Sequence, residues 1–121
     1  MRPIAAALGR LWLVAVLFAL VGIGGTLAAE LPALTGRVVD GANVIDAPTR
    51  DAITRKLEAF ETKSSDQVVV VTVPDLGGEE IEPYANRLYR SWALGQKQEN
   101  NGVLLVVAPN DRKVRIEVGY G

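Results

Sequence analysis

Apolar residues follow two rhythms along this chain, and the rhythms place its elements. Val68 to Val73 is a β-branched run, and Val103 to Ala108 is apolar at every position. Runs this short and this apolar predict strands buried on both faces. Lys113 to Val118 alternates instead, with Val114, Ile116 and Val118 on one face and Arg115 and Glu117 on the other. That pattern predicts a strand with one wet face, near a sheet edge. Pro109-Asn110-Asp111-Arg112 lies between the last two strands and is a turn by composition, so they form a hairpin.

A helical rhythm fills the gaps. Ile53, Leu57 and Phe60 recur at four and three residues, giving one apolar stripe on a first helix. Asp46 and Thr49 are both good N-caps for it, and Pro48 suits its first turn. Lys63-Ser64-Ser65-Asp66 ends it. Ile81, Ala85, Leu88 and Trp92 make a second stripe, on a helix that starts between Ile81 and Pro83. Gly95 stands where a helix C-terminal glycine belongs. Arg37-Val38-Val39-Asp40 reads equally as a brief strand or an ordered loop. The fold class is α/β: a small mixed sheet with a parallel βαβ unit, an antiparallel hairpin strand, and helices packed on the sheet.

The first 29 residues have a different character. Arg2 and Arg10 are the only charges before Glu30, and Leu11 to Ile23 is unbroken apolar sequence, followed by Gly24-Gly25-Thr26-Leu27-Ala28-Ala29. This predicts a signal peptide cut after Ala28 or Ala29, or else an uncleaved signal anchor, with residues 30–121 exported as one domain. The expected location is periplasmic or otherwise extracytoplasmic, with membrane association through the N-terminal segment if it is retained.

Composition narrows the chemistry. The chain has no cysteine and no histidine. Disulfides, Ser-His-Asp and Cys-His catalysis, and histidine metal sites are therefore excluded. Thirteen basic residues, two of them in the leader, stand against 14 acidic ones. No basic cluster is visible, so nucleic acid is not an expected partner. Gly77-Gly78 precedes a helix, but Asp75, Glu79 and Glu80 surround it without a lysine or arginine. A surface turn accounts for it better than a phosphate cradle.

Ligands of open α/β sheets bind beyond the carboxyl ends of the parallel strands. That edge would collect Asp40, Asn43, Asp75, Asn110 and Asp111, all hard oxygen ligands suited to calcium or magnesium. The same residue types also populate loops simply because they cap and turn. Arg112 and Lys113 flank Asp111, either as phosphate partners or as a solvated hairpin tip.

Five segments in order carry a resemblance: Leu31 to Asp40, Gln67 to Val73, Tyr84-Ala85-Asn86-Arg87-Leu88, Asn101 to Val106, and Arg112 to Gly121. Together they resemble the TPM domain family. The resemblance implies an extracytoplasmic α/β domain behind a signal peptide. Its chloroplast members are linked to photosystem II repair and described as acid phosphatases, and some members bind calcium. For this chain it implies a cation held by Asp40 and Asp111, with Arg112 neutralising charge in a weak metal-assisted phosphomonoester hydrolysis. The alternative is a non-catalytic module that assists membrane-protein assembly or turnover, because no nucleophile with a recognisable base is present. Relatives often carry two consecutive aspartates at the hairpin tip, where this chain has Asn110-Asp111. They also continue through at least one more helix, so the resemblance implies a domain truncated at its C-terminus, with the rear face of the sheet uncovered.

Overall fold

The computed structural model describes residues 30–95 and 99–119. The leader reading falls on residues 1–29 and lies outside them. Among the described residues no helix is long and apolar enough to cross a membrane.

Strand β1 (Val38–Asp40) leads into helix α1 (Ala47–Ser64), strand β2 (Gln67–Thr72), helix α2 (Ile81–Ser91), strand β3 (Gly102–Ala108), a single 3-10 turn (Pro109–Asp111) and strand β4 (Lys113–Val118). The sheet order is β1-β2-β3-β4. The first two pairings are parallel and the last is antiparallel, as the hairpin requires. Val38-Val39-Asp40 is therefore a strand, and β2 lies one residue earlier than its β-branched run suggests. Asp46 is the N-cap of α1, its carboxylate accepting from the Thr49 amide at 2.8 Å. Ser65 closes that helix in the left-handed conformation. Helix α2 ends at Ser91, four residues before Gly95.

Register divides the side chains between two unequal faces. Leu104 lies opposite Val69 and Glu117, and Val106 lies opposite Val71 and Arg115. This face carries the core. Val69, Val71, Leu104, Val106 and Ala108 pack with Ile81, Tyr84, Ala85 and Leu88 of α2, all nearly inaccessible to water. The lead-in segment completes the cover, with Leu31 against the core and the Trp92 indole donating to the Pro32 carbonyl at 3.0 Å. Trp92 is half-buried beside the core.

The opposite face is only half covered. Helix α1 packs on β1 and β2. Its Ile53 and Leu57 are half-buried, and Phe60 is exposed. Buried Val38 stands outside the main core cluster, consistent with α1 and α2 lying on opposite faces. Val103, Leu105 and Val107 of β3 are half-buried, so β3 is not buried on both sides as its composition suggests. On β4 the exposed face is the apolar one. Val114, Ile116 and Val118 are 63%, 61% and 45% exposed, while Arg115 and Glu117 are half-buried. The reason is coverage: α2 packs on the charged side of β4, where its Glu82 lies 3.7 Å from Arg115 and its N-cap Glu80 lies 3.4 Å from Lys113, and α1 packs on β1 and β2. Arg115 also reaches Glu117 at 3.2 Å.

Candidate functional site

The carboxyl ends of β1, β2 and β3 bring Asp40, Thr72 and Ala108 to one edge of the sheet. Asp40 organises the first loop there. One carboxylate oxygen accepts from the Thr72 hydroxyl at 2.5 Å and from the Val44 amide at 3.1 Å, and the other accepts from the Ile45 amide at 2.8 Å. Thr72 in turn accepts from the Ala42 amide at 3.0 Å. Partial burial pushes the Asp40 carboxyl upward, but the hydrogen bonds from Thr72, Ile45 and Val44, with Arg50 nearby, outweigh it and hold the group below its ordinary value. The tight approach needs Gly41, where a Cβ would stand 2.8 Å from the Thr72 carbonyl oxygen. Asn43 adopts a left-handed conformation in the same loop, its amide donating to the Asp40 carbonyl.

A second network joins the other two loops. Asp111 accepts from the Leu76 amide at 2.9 Å, and the Asn110 side chain donates to the Pro74 carbonyl at 2.7 Å. Asp75 accepts from the Gly77 amide at 2.8 Å, an Asx turn. Arg112 sits past the tip in the left-handed region and enters no ion pair among the described residues.

The five predicted ligands thus share one edge but divide into two groups. Asp40 and Asn43 belong to the β1 loop, while Asp75, Asn110 and Asp111 belong to the β2 and β3 loops. Among the described residues no three acidic side chains come together as a set able to hold a metal ion. Each carboxylate already accepts from backbone amides. The donors suit a hard cation chemically, yet they do not converge as a preformed centre, and no catalytic step is derived through one.

Beside this edge lies a recess of about 310 Å³ lined by Leu31, Pro32, Thr72, Pro74, Asp75 and Tyr84, among others. Among the described residues its charged lining groups are Glu30 and Asp75. A phosphate would meet carboxylates here without a cation to balance it. Burial pushes the Tyr84 phenol above its ordinary value, with Arg87 pulling in the opposite direction. Arg87 lies 5.7 Å from the Tyr84 ring centroid and pairs with Glu79, tying the loop after β2 to α2. Sequence reasoning missed Thr72, which looks like one more β-branched strand residue until β1 places Asp40 beside it.

The family model for the TPM domain matches residues 38–121. The chain belongs to the TPM domain family. The N-terminal domain of a P. gingivalis protein superposes with a TM-score of 0.68 and 31% identity, covering 75% of this chain and 61% of that one. The N-terminal domain of the cg2496 protein from Corynebacterium glutamicum superposes at 0.60 with 18% identity, covering 78% and 62%, a likeness of fold alone. The match thus spans less than two thirds of either solved domain. No curated protein matches the chain. This TPM domain shares its mixed α/β fold with those structures.

Proposed function

We propose that this TPM domain is an exported, non-catalytic interaction module that assists the assembly or turnover of membrane proteins. The observation that carries this reading is the uncovered apolar half of the sheet, where Val114, Ile116 and Val118 face solvent on the strand whose charged side is packed away. Exposed apolar patches of this kind mark interaction surfaces. The acidic edge supports the same reading, since its carboxylates are engaged in shaping loops and the hydroxyl that Asp40 holds, that of Thr72, is buried. A photo-crosslinking amino acid placed at Ile116 in cells is expected to yield adducts with membrane proteins, and the same group at Arg55, on the outer side of α1, is not. Absence of adducts at 116, or equal adducts at both positions, removes this reading.

One observation favours a second reading, a weak divalent-cation site. Two hydrogen bonds join the loop after β2 to the hairpin tip and bring Asp75 and Asp111 to the same corner. Loop carbonyls and water would have to complete the shell, with affinity on the order of 10⁻⁴–10⁻³ M as in extracellular calcium modules. A ligand that binds only the folded state stabilises it by about 2.7 kcal/mol at a hundredfold excess over its dissociation constant. Millimolar calcium is then expected to raise the melting temperature in the wild type and in Asp40→Ala, but not in Asp75→Ala. No saturable shift in the wild type, or an equal shift in Asp75→Ala, rules the site out.

A further inference from the structure

The recess beside the candidate edge contains a polar group that the fold leaves unused. Tyr84 of α2 is 2% exposed and lines that recess. Its hydroxyl makes no hydrogen bond among the described residues. No fully enclosed side-chain polar atom among those residues lacks a partner, so this hydroxyl keeps an opening to solvent. A buried phenol ordinarily finds a partner within the protein, because an unpaired one loses its hydration for nothing. Burial holds the phenol protonated above its ordinary value; Arg87 pulls the other way, and the Glu79 and Asp75 carboxylates add to the rise. The group offered to a ligand is therefore a neutral O–H, able both to donate and to accept. Val73 and Tyr84 belong to the core that α2 covers, so the recess opens on that side of the sheet, away from the bare half of β3 and β4.

The rest of the lining selects the occupant. Leu31, Pro32 and Pro74 present apolar surface, and the two prolines have no amide hydrogen to offer. Glu30 and Asp75, both exposed, bring negative charge to the opening. Arg87, the cation over the Tyr84 ring, is paired with Glu79 and is not among the lining residues. An anion would meet two carboxylates here, and a purely apolar molecule would leave the phenol unpaired. A cationic N–H donor on a short apolar stem suits every wall: the stem takes the apolar surface, and the phenol oxygen and a carboxylate accept from the N–H groups. A volume of about 310 Å³ is at the lower end of the range for ligand sites, about 300–1,000 Å³, so the stem is short. We propose that this recess binds an ammonium group on a short alkyl stem, carried by a free amine or by a lysine side chain of another protein. The site shares no residue with the exposed face of β4, so it is independent of the interaction reading above.

The test follows the backbone amides of the full chain by heteronuclear NMR at neutral pH during titration with butylamine, butanol and butyrate, three probes with one stem. Butylamine at millimolar concentration is expected to give saturable shifts at Leu31, Gly41 and Asp75 and to bind at least fivefold more tightly than butanol, and butyrate to give none. Tyr84→Phe removes only the hydroxyl and is expected to weaken butylamine about fivefold. The melting temperature of that variant without ligand is expected to match or exceed the wild type, since no internal hydrogen bond is lost. Asp75→Asn keeps the turn to the Gly77 amide and removes the charge; combined with Glu30→Gln it is expected to reduce butylamine to the level of butanol. A blocked Ala-Lys-Ala peptide separates the two sources: binding tighter than butylamine assigns a lysine side chain, weaker binding assigns a free amine, and either supports the proposal. No saturable shift with butylamine, equal binding of the three probes, or unchanged affinity in Tyr84→Phe overturns it. A lower melting temperature in Tyr84→Phe also overturns it, because the phenol would then have a partner within the fold. Shifts that calcium alone reproduces, and that persist in Tyr84→Phe, overturn it in favour of a metal at Asp75.

Discussion

Leu104→Ala is expected to destabilise this domain by about 2–5 kcal/mol, a large part of the roughly 5–15 kcal/mol available to a domain. Ile116→Ala, on the adjoining strand, is expected to stay within about 0.5 kcal/mol of the wild type. The two are aliphatic side chains of the same size on paired strands. They differ in where the register points them. Leu104 is 0% exposed in the core under α2, and Ile116 is 61% exposed on the opposite face of the sheet. Urea denaturation of the two variants checks the contrast, with the midpoint moving for one and not for the other. A comparable loss in Ile116→Ala would mean that the domain itself uses this face of β4 for stability, and the interaction reading would lose the observation that carries it. This makes the pair of variants a test of function as well as of packing.

Asp40→Ala is expected to cost at least the worth of one hydrogen bond to a charged group, about 1.5–3 kcal/mol. It removes one acceptor from three donors at once: the Thr72 hydroxyl and the amides of Val44 and Ile45. The loop from Gly41 to Ile45 would lose its organiser, and α1 its fixed approach. The pH dependence has a definite sign. The folded state holds the Asp40 carboxyl below its ordinary value, so the unfolded chain binds the proton more readily. The stabilisation is therefore fully present above the ordinary aspartate range, near 3.9, and fades as pH falls through the lower folded value. Wild-type stability is expected to drop across that acidic window, and part of the drop is expected to vanish in Asp40→Ala. Asp40→Asn would also flatten the profile; its oxygen can still accept from Thr72 and Val44, but its NH2 group then faces the Ile45 amide, so it is expected to restore the loop only in part. Parallel pH profiles for wild type and Asp40→Ala would show that Asp40 contributes nothing through its charge.

The elements were legible in the residues because each has a local cause. The β-branched run at 68–73, the stripe Ile81, Ala85 and Leu88, the Asp46 cap and the turn at Pro109 each act within a few residues. The hairpin and the parallel pair followed from connection length alone. The edge that gathers Asp40, Asp75 and Asp111 followed from strand polarity. The residue types could not say how those groups would be used. Whether an aspartate ligates a cation or closes a turn depends on which amides lie within about 3 Å, and for Asp40 and Asp111 those amides belong to loops fixed by the sheet.

The alternation on β4 is the sharpest case. The sequence by itself determined that Val114, Ile116 and Val118 share one face and Arg115 and Glu117 the other, since the period of a strand is two. Only the tertiary structure decided which face meets water. Helix α2 brings Glu80 and Glu82 to the charged side, where Lys113 and Arg115 find partners, and α1 stops short of β3 and β4 on the apolar side. Hydrophobic pattern assigns residues to faces, but coverage depends on how many helices reach each face, and that is a property of the whole packed molecule.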